Sequence, residues 1–288
     1  MANIRVIRRR IRSVRNTAKI TKAMEMIAAS KVRRAQQRVL AGRPYARKLH
    51  QVLGYLAAQY DETEAVHPLM QRREPKKIML VHITPDRGLT GGLNSNLNRR
   101  AAQFVLEQKL PTSVICVGKK GREFMTRHGQ QVRAVFTDLG DRVTVADLRP
   151  IIRILTEDFL SGAVDQVHIL NGDFVSAMVQ KPAVRQLLPL LAPEGAESQG
   201  PKVGYIYEPT GPEVLAQLLP RFVEVQMYQA MLEATASEQS ARMVAMRSAT
   251  DNANEMVQDL TLELNKARQA SITSELLDIV GGVAALEG

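Results

Sequence analysis

A glycine-rich loop, Asp86 to Gly92, is the stretch whose residue types best suit ligand chemistry. It follows an apolar run that predicts a strand and precedes a run that predicts a helix, which is where phosphate-binding loops lie. Its sequence, DRGLTGG, matches neither GxGxxG nor GxxxxGK(S/T), and no Walker A motif occurs in the chain. A tight turn that leads into a helix needs the same glycines. We therefore favour a structural turn, and a nucleotide-dependent enzyme is kept as an alternative.

The other residue types that catalyse reactions or bind metals are too few or too scattered to form a site. The five histidines lie at positions without ligand spacing: His50, His67, His82, His128 and His168. Cys116 is the only cysteine and lies within an apolar strand, which is typical of an inert core thiol. No Ser/His/Asp arrangement is recognisable. We predict a non-catalytic chain from a reducing compartment, with no metal or cofactor of its own.

Charge is distributed unevenly along the 288 residues, whose formal net charge is +10. Residues 1–60 contain 15 Lys and Arg residues against the single acid Glu25, whereas residues 213–288 contain 5 against 11 acids. An arginine-rich helix suggests nucleic-acid binding. Against that function, the residues between the arginines are aliphatic and aromatic residues are only 4% of the chain. A solvated basic face and a surface for an acidic protein are the two preferred interpretations, and opposite charges suit terminal helices that lie side by side.

Two long terminal helices must position these residues. Apolar residues recur at steps of three and four in both segments, strictly at first and less strictly later in the first helix. The first predicted seam is Ile4, Ile7, Ile11, Val14 and Ala18, then Met24, Ile27, Lys31, Ala35, Val39, Gly42, Tyr45, Leu49, Val52 and Leu56. The second is Leu215, Leu218, Phe222, Val225, Met243, Met246, Ala249, Ala253, Met256, Leu260, Leu264, Ala267, Leu276, Ile279 and Val283. A long helix needs a partner along its seam, so the pattern predicts an antiparallel coiled coil.

Between these helices the pattern changes to short strands that alternate with helices, which predicts an α/β domain with a mostly parallel sheet. The predicted domains are the first helix over residues 1–60, the α/β domain over residues 76–207 and the last helix over residues 212–288. The predicted strands are Ile78–Thr84, Ser113–Val117, Val132–Phe136, Gln166–Leu170 and a last one at Val203–Tyr207. The predicted helices are Leu93–Gln108, Lys119–His128 and Val145–Leu160. Asp61–Pro75 and Pro189–Pro201 are predicted to be a linker and a loop.

The last helix is longer than the first by about 20 residues, which predicts a single-helix overhang. The end of this helix is apolar and contains several small side chains. Its larger apolar residues are Ile279, Val280, Val283 and Leu286. A frayed terminus and an apolar tip seated in an apolar collar are both compatible with this composition. The N-terminus lacks the apolar segment of a signal peptide, and no apolar run approaches the ~20 residues that span a membrane.

Three segments resemble the γ subunit family of the bacterial rotary (F-type) ATP synthase. They are KITKAMEMIAASK (Lys19 to Lys31), ITPDRGLTGGLN (Ile83 to Asn94), and ASEQSARMVAMRSATDNANEM (Ala236 to Met256) with NKARQASITSELLDIVGG (Asn265 to Gly282). The resemblance implies an antiparallel coiled coil with an inserted Rossmann-like α/β domain. It also implies a rotor shaft inside a ring of three α and three β subunits, driven by proton flow. Further implied partners are subunit ε and the membrane c-ring, at the cytoplasmic face of the bacterial membrane. Nucleotide and Mg²⁺ would then bind the partner subunits.

The resemblance also implies which residues contact the ring. Met24 matches a position that faces an acidic loop of β, and Lys22 lies beside it. Further coupling positions on the last helix are Arg242, Gln269, Thr273 and Glu275, with Arg268 nearby. On charge alone, Arg33 and Arg34 join Lys22 as residues that attract acidic β loops. Ordinary seam packing is the alternative role for Met24, and plain solvation is the alternative for the polar cluster. A non-rotating coiled-coil scaffold and a nucleic-acid-binding protein are the alternative functions.

Overall fold

The computed structural model describes residues 4–59, 67–190, 208 and 210–287. The chain divides into two compact units: Met1–Ala28 with Arg242–Gly288, here unit 1, and Ala29–Ala241, here unit 2. The helices are α1 (Ile4–Gln59), α2 (Leu93–Gln108), α3 (Lys119–Arg127), α4 (Val145–Leu160) and α5 (Gly211–Glu287). The strands are β1 (Ile78–Ile83), β2 (Thr112–Val117), β3 (Gln131–Phe136), β4 (Gln166–Phe174) and β5 (Gln180–Leu188). A short 3-10 helix, Pro68–Met70, lies within the predicted linker.

Unit 2 is built around a five-stranded sheet of order β3-β2-β1-β4-β5. The first four strands are parallel, and β5 pairs antiparallel with β4. Alternate residues of β1 face the two sides, so Met79 and Val81 join one core cluster and Ile78 and Leu80 join the other. Residues of α1, α4 and α5 cover the first side, and residues of α2 and α3 cover the second. The predicted α/β class and the mostly parallel sheet are confirmed.

Strand β5 was not predicted, and the predicted strand Val203–Tyr207 lies outside the described residues. The β5 sequence, QKPAVRQLL, is polar at its start and contains Pro182, which is tolerated because β5 is an edge strand. Edge strands with this composition do not resemble the apolar, β-branched runs that identify central strands. Helix α1 continues through Pro44.

Unit 1 contains the first part of α1 and the last part of α5. A strict heptad of buried or half-buried residues runs along α1 there: Ile4, Ile7, Ile11, Val14, Ala18, Thr21, Glu25 and Ala28. A matching heptad runs along α5: Met243, Met246, Thr250, Ala253, Val257, Leu260, Leu264 and Ala267. The hydroxyl oxygens of Thr21 and Thr250 lie 2.7 Å apart in the buried interface. From this contact an antiparallel register pairs every layer of one helix with a layer of the other, ending with Ile4 opposite Ala267.

In unit 2 the same two helices again lie antiparallel. Residues 31–38 of α1 and 232–239 of α5 line one hollow, while Leu49 and Leu53 join the core cluster that contains Leu215 and Leu219. The α1 seam continues here through Val32, Ala35, Val39, Ala46, Leu49 and Leu53. The fold prediction of a long antiparallel coiled coil with an inserted Rossmann-like α/β domain is therefore confirmed.

Candidate partner interface

The polar layer at Thr21 and Glu25 decides which face of α1 is exposed in unit 1. Thr21 and Thr250 are buried, and the Thr250 hydroxyl donates to the Met246 carbonyl oxygen at 2.8 Å. Glu25 lies at a seam position with its side chain only 15% exposed, and its carboxylate pairs with the Lys22 ammonium at 3.0 Å. Because these polar residues occupy the seam, the apolar residues beside them face outward.

An exposed apolar stripe therefore runs along α1, formed by Ile20, Met24 and Ile27. Ile20 is 61% exposed and Ile27 is 58% exposed, while Met24 is half-buried. Their spacing of four and three residues places the three side chains on one face. The prediction of Ile27 as a seam residue was wrong, because the seam passes through Ala28 instead. Tyr45, which is 56% exposed, was misplaced in the same way, since the seam passes through Ala46.

Met24 belongs to this stripe, whereas Lys22, two residues before it, lies on a different face of α1. The Lys22 side chain is 55% exposed and pairs with the seam residue Glu25. Ile20 was missed as a candidate contact residue. A strict heptad count from Ile4 through Thr21 and Glu25 would have found it, because that count leaves Ile20, Met24 and Ile27 outside the seam.

In the antiparallel register, the first described residue of α1, Ile4, lies opposite Ala267. The last twenty residues of α5, 268–287, therefore extend beyond the described part of α1. Within this segment Arg268, Gln269, Thr273 and Glu275 are exposed. The Thr273 hydroxyl donates to the Gln269 carbonyl oxygen at 3.0 Å, and the Ser271 hydroxyl donates to the Glu275 carboxylate at 3.2 Å. These short-range bonds leave the charged and amide groups facing outward.

The end of α5 presents apolar side chains to solvent. Ile279 and Val280 are each 64% exposed, and Val283 is 51% exposed. The preceding residues Ile272, Leu276 and Leu277 are also exposed, whereas the side chain of Leu286 lies outside the described residues. Leu276, Ile279 and Val283 were predicted as seam residues, yet they pack against no partner helix in the part of α1 that is described. Met256, 52% exposed, was also wrongly placed in the seam, which passes through Val257.

The remaining candidates lie at other positions. Arg242 begins the unit 1 part of α5 and is half-buried. Arg33 and Arg34 belong to unit 2, where both are exposed on α1 between the buried residues Val32 and Ala35. The structure thus places Lys22 and Met24 on different faces of α1, and it places Arg268, Gln269, Thr273 and Glu275 on the overhanging part of α5.

The glycine-rich loop is held as a turn by its own carboxylate. Asp86 accepts the backbone N–H of Lys119 at 3.0 Å and that of Asp138 at 2.9 Å. The Asp86 carboxylate therefore already occupies the N-terminus of α3, where a bound phosphate would need the same donors. Leu89 and Gly91 adopt positive φ values of 63° and 55°, which shape the turn into α2.

Helix α5 fills the crevice at which Rossmann-like sheets bind ligands, the carboxyl edge between β1 and β4. Met231, Ala234 and Ser237 of α5 line this space, and the Ser237 hydroxyl donates to the Gly172 carbonyl oxygen at 2.8 Å. The volume left is about 50 Å³. Ligand pockets usually measure ~300–1,000 Å³, so the crevice is too small for a nucleotide.

The buried titratable groups of unit 2 are held in their neutral forms. Burial lowers the pKa of His82 to about 4 and that of His168 to about 4, and burial raises the pKa of the Cys116 thiol to about 11. No group of three or more His, Cys, Asp or Glu side chains that suits a metal ion occurs within residues 4–59, 67–190 and 210–287. The two imidazoles and the thiol are therefore uncharged at neutral pH.

Comparisons with known proteins agree over the whole chain. The family described as ATP synthase matches residues 3–286. The chain is similar to the ATP synthase gamma chain of Dehalococcoides mccartyi strain 195, with 58% identity over 99% of this chain and 100% of the relative. It is 50% identical to the ATP synthase gamma chain of Herpetosiphon aurantiacus, over 99% of each chain.

A solved structure is also similar. It is the central stalk and c-ring of the Tetrahymena thermophila mitochondrial ATP synthase, with a TM-score of 0.61 and 26% identity over 80% of this chain and 99% of that one. The sequence matches to the two gamma chains run almost from end to end of this chain and of each relative. The chain belongs to the family of ATP synthase gamma chains.

Proposed function

We propose that this chain is the central rotor shaft of an F-type ATP synthase, coupling transmembrane proton flow to ATP synthesis and hydrolysis. The observation that carries the proposal is the match to ATP synthase gamma chains across residues 3–286. The structure adds a geometric reason, because an overhanging single helix with exposed apolar residues is a form that suits insertion into a surrounding ring.

The chain itself is proposed to be the non-catalytic subunit of this enzyme complex. In unit 2 the Asp86 carboxylate occupies the N-terminus of α3, and α5 fills the crevice where a Rossmann-like domain would hold a nucleotide. Nucleotide and Mg²⁺ are therefore assigned to partner subunits, and the chain is proposed to hold no cofactor of its own. These contacts argue against the alternative of a nucleotide-dependent enzyme.

The proposed partners are three α and three β subunits, subunit ε and the membrane c-ring. Among the helices described here, none is long and apolar enough to cross a lipid bilayer. Peripheral attachment through the complex, at the cytoplasmic face of the bacterial membrane, is the location that fits these partners.

The proposed mechanism depends on differences between the faces of the shaft. A ligand shifts a conformational equilibrium only by the difference in its affinity for the two states. In unit 1, α1 presents an apolar stripe on one face and the Lys22 ammonium on another, whereas the last part of α5 presents Arg268, Gln269, Thr273 and Glu275. Rotation would bring unlike faces to each β subunit in turn and so favour open, loose and tight states successively.

We assign the ring contacts to the residues that the resemblance indicated. Lys22, Met24, Arg33, Arg34 and Arg242 are proposed to contact β or to act in coupling. Arg268, Gln269, Thr273 and Glu275 are proposed to do so from the overhanging part of α5. The tip residues Ile279, Val280, Val283 and Leu286 are proposed to turn within an apolar collar, and the exposed residues Ile20 and Ile27 extend the contact surface around Met24.

Reconstitution tests this function directly. The full chain would be assembled with separately purified α and β subunits, and a probe attached to an exposed cysteine introduced in unit 2 would be followed under ATP. We expect stepwise unidirectional rotation in three equivalent intervals. A complex that forms and hydrolyses ATP without probe rotation would instead identify a static scaffold. Salt-dependent binding of nucleic acid by the chain, without assembly, would favour the nucleic-acid alternative.

A further inference from the structure

A hollow of about 370 Å³ lies in unit 2, and four cationic side chains line it. Lys31, Arg34 and Arg38 project from α1, and Arg142 follows β3 in the loop that precedes α4. Residues Thr235 and Gln239 of α5 complete the wall. The volume falls within the range of ligand pockets, ~300–1,000 Å³.

The one acidic residue in the hollow does not neutralise its arginines. The Asp141 carboxylate pairs with the Lys31 ammonium and accepts the Gln239 side-chain amide at 3.0 Å. Arg38 donates to the backbone carbonyl oxygen of Asp141 at 3.0 Å. This oxygen carries no formal charge and so does not neutralise the guanidinium group. The positive charges of three guanidinium groups therefore remain uncompensated at the hollow.

Two of these guanidinium groups have all their donors available. Neither Arg34 nor Arg142 has a hydrogen bond or ion pair within the part of the chain that the structure describes, and both are exposed. Placing like charges around one concavity has an electrostatic cost that a bound anion would remove. The arginine fork matches phosphate oxygens in a bidentate manner, which a lysine cannot do.

The loop that carries Arg142 has a defined backbone. Asp138 and Gly140 adopt positive φ values of 60° and 74°, and the Asp138 carboxylate pairs with Lys119 at 2.8 Å. The backbone N–H of Asp138 donates to Asp86. These contacts fix Asp141 and Arg142 beside α1 before any ligand arrives, so the ordering cost on binding is small.

We propose that this hollow is a binding site for a compact phosphate-class polyanion, recognised by Arg34, Arg38 and Arg142. Inorganic phosphate, pyrophosphate and the phosphate chain of a free nucleotide share this chemistry. Such a site lies apart from the catalytic sites assigned to partner subunits and would let the chain respond to the phosphate content of its surroundings.

Isothermal titration of the full chain with pyrophosphate, at constant ionic strength, tests the proposal. We expect saturable binding of one pyrophosphate per chain. The double variant Arg34→Gln/Arg142→Gln is expected to bind at least tenfold more weakly, because two charge-assisted contacts are lost. Arg33→Gln is the matched control, since Arg33 is exposed on the same helix and does not line the hollow. Parallel titrations with inorganic phosphate and ATP compare the affinities of the three anions and show which one binds most tightly.

Three outcomes would overturn the proposal. The first is the absence of saturable binding by the native chain. The second is an equal loss in Arg33→Gln, which would show general attraction to a basic protein. The third is Arg34- and Arg142-dependent binding of an oligoglutamate peptide without binding of pyrophosphate, which would identify a docking surface for an acidic protein. Thermal unfolding of each variant checks that the fold is retained, and the readout does not depend on assembly with partner subunits.

Discussion

Gly118 is the residue at which the carboxyl edge of the unit 2 sheet is most tightly constrained. Its φ value is +102°, and its N–H donates to the Phe136 carbonyl oxygen at 2.8 Å. A Cβ at this position would lie 1.9 Å from the Thr84 carbonyl oxygen. Thr84 in turn accepts the N–H of Gly121 on its hydroxyl at 2.8 Å, so strand end and helix start are locked together.

We expect Gly118→Ala to destabilise unit 2 by at least about 3 kcal/mol, because a backbone clash is added to an unfavourable φ. Gly129→Ala is the control, since Gly129 has φ +67° but nothing within 4 Å of its added Cβ. That variant should lose only about 1 kcal/mol. Urea denaturation of both variants measures the difference, and equal losses would show that the close approach to Thr84 does not matter.

His82 makes the stability of unit 2 depend on pH. The side chain is fully buried, its Nε2 lies 2.9 Å from Asn98 Oδ1, and burial lowers its pKa from 6.5 to about 4. Between pH 4 and pH 6.5 the His82 imidazole is therefore protonated in the unfolded chain but neutral in the folded chain. The stabilisation is complete above pH 6.5 and is lost as the pH falls towards 4.

Replacing His82 with glutamine should remove this dependence while keeping a donor for Asn98. Between pH 7 and pH 5 the native chain is expected to lose about 2 kcal/mol more unfolding free energy than His82→Gln. Urea titrations of both proteins at the two pH values measure the difference. Parallel losses in the two proteins would mean that His82 titrates normally in the folded state.

At the scale of the elements, the sequence predicted the long helices and central strands because their patterns are local. The first five seam residues of α1, Ile4 to Ala18, are apolar, and all are buried or half-buried. The prediction failed where the heptad reaches the polar residues Thr21 and Glu25. Because the prediction looked for apolar residues, it assigned the nearby Met24 and Ile27 to the seam instead. Burial of a polar pair depends on the facing helix, which one sequence segment cannot reveal.

The candidate interface was predictable to a similar degree. The positions of Met24, Gln269 and Thr273 came from the resemblance, and the structure places them on outward or partly outward faces. The neighbouring Ile20 and Ile27 required knowledge of which face α5 covers. The cationic hollow was hidden for the same reason, since Arg142 lies 104 positions after Arg38 and the two meet only in the folded unit.

The Thr21–Thr250 contact gives a prediction for the coiled coil of unit 1. Each single variant, Thr21→Val or Thr250→Val, should cost about 1 kcal/mol, because the remaining buried hydroxyl loses one of its hydrogen-bond partners. The double variant should be close to the native chain, since both polar groups are then removed together. Urea denaturation of the four proteins gives the coupling energy, with the exposed Thr17→Val as a control. Strictly additive costs would mean that the 2.7 Å contact contributes nothing.

At the scale of the whole molecule, the uneven charge acts through its position on the surface. Almost all of the described Lys and Arg side chains in residues 1–60 are exposed, and Lys22, Arg33 and Arg34 are among them. Exposed ion pairs contribute little to stability, usually below ~1 kcal/mol. Their charge nevertheless steers and orients binding to acidic partners. Fold and coupling are therefore expected to respond differently to the same substitutions.

Reversing the charges of Lys22, Arg33 and Arg34 to glutamate should impair coupling far more than folding. We expect a thermal unfolding curve close to that of the native chain, but a severalfold loss of ATP-driven proton pumping in the reconstituted complex, because the attraction to acidic β loops becomes repulsion. A matched control reverses Arg99, Arg127 and Arg149, which are exposed on α2, α3 and α4 and change the net charge equally. If rotation torque and pumping stay unchanged in the first variant, or fall equally in the second, the positions of the three charges play no part in coupling.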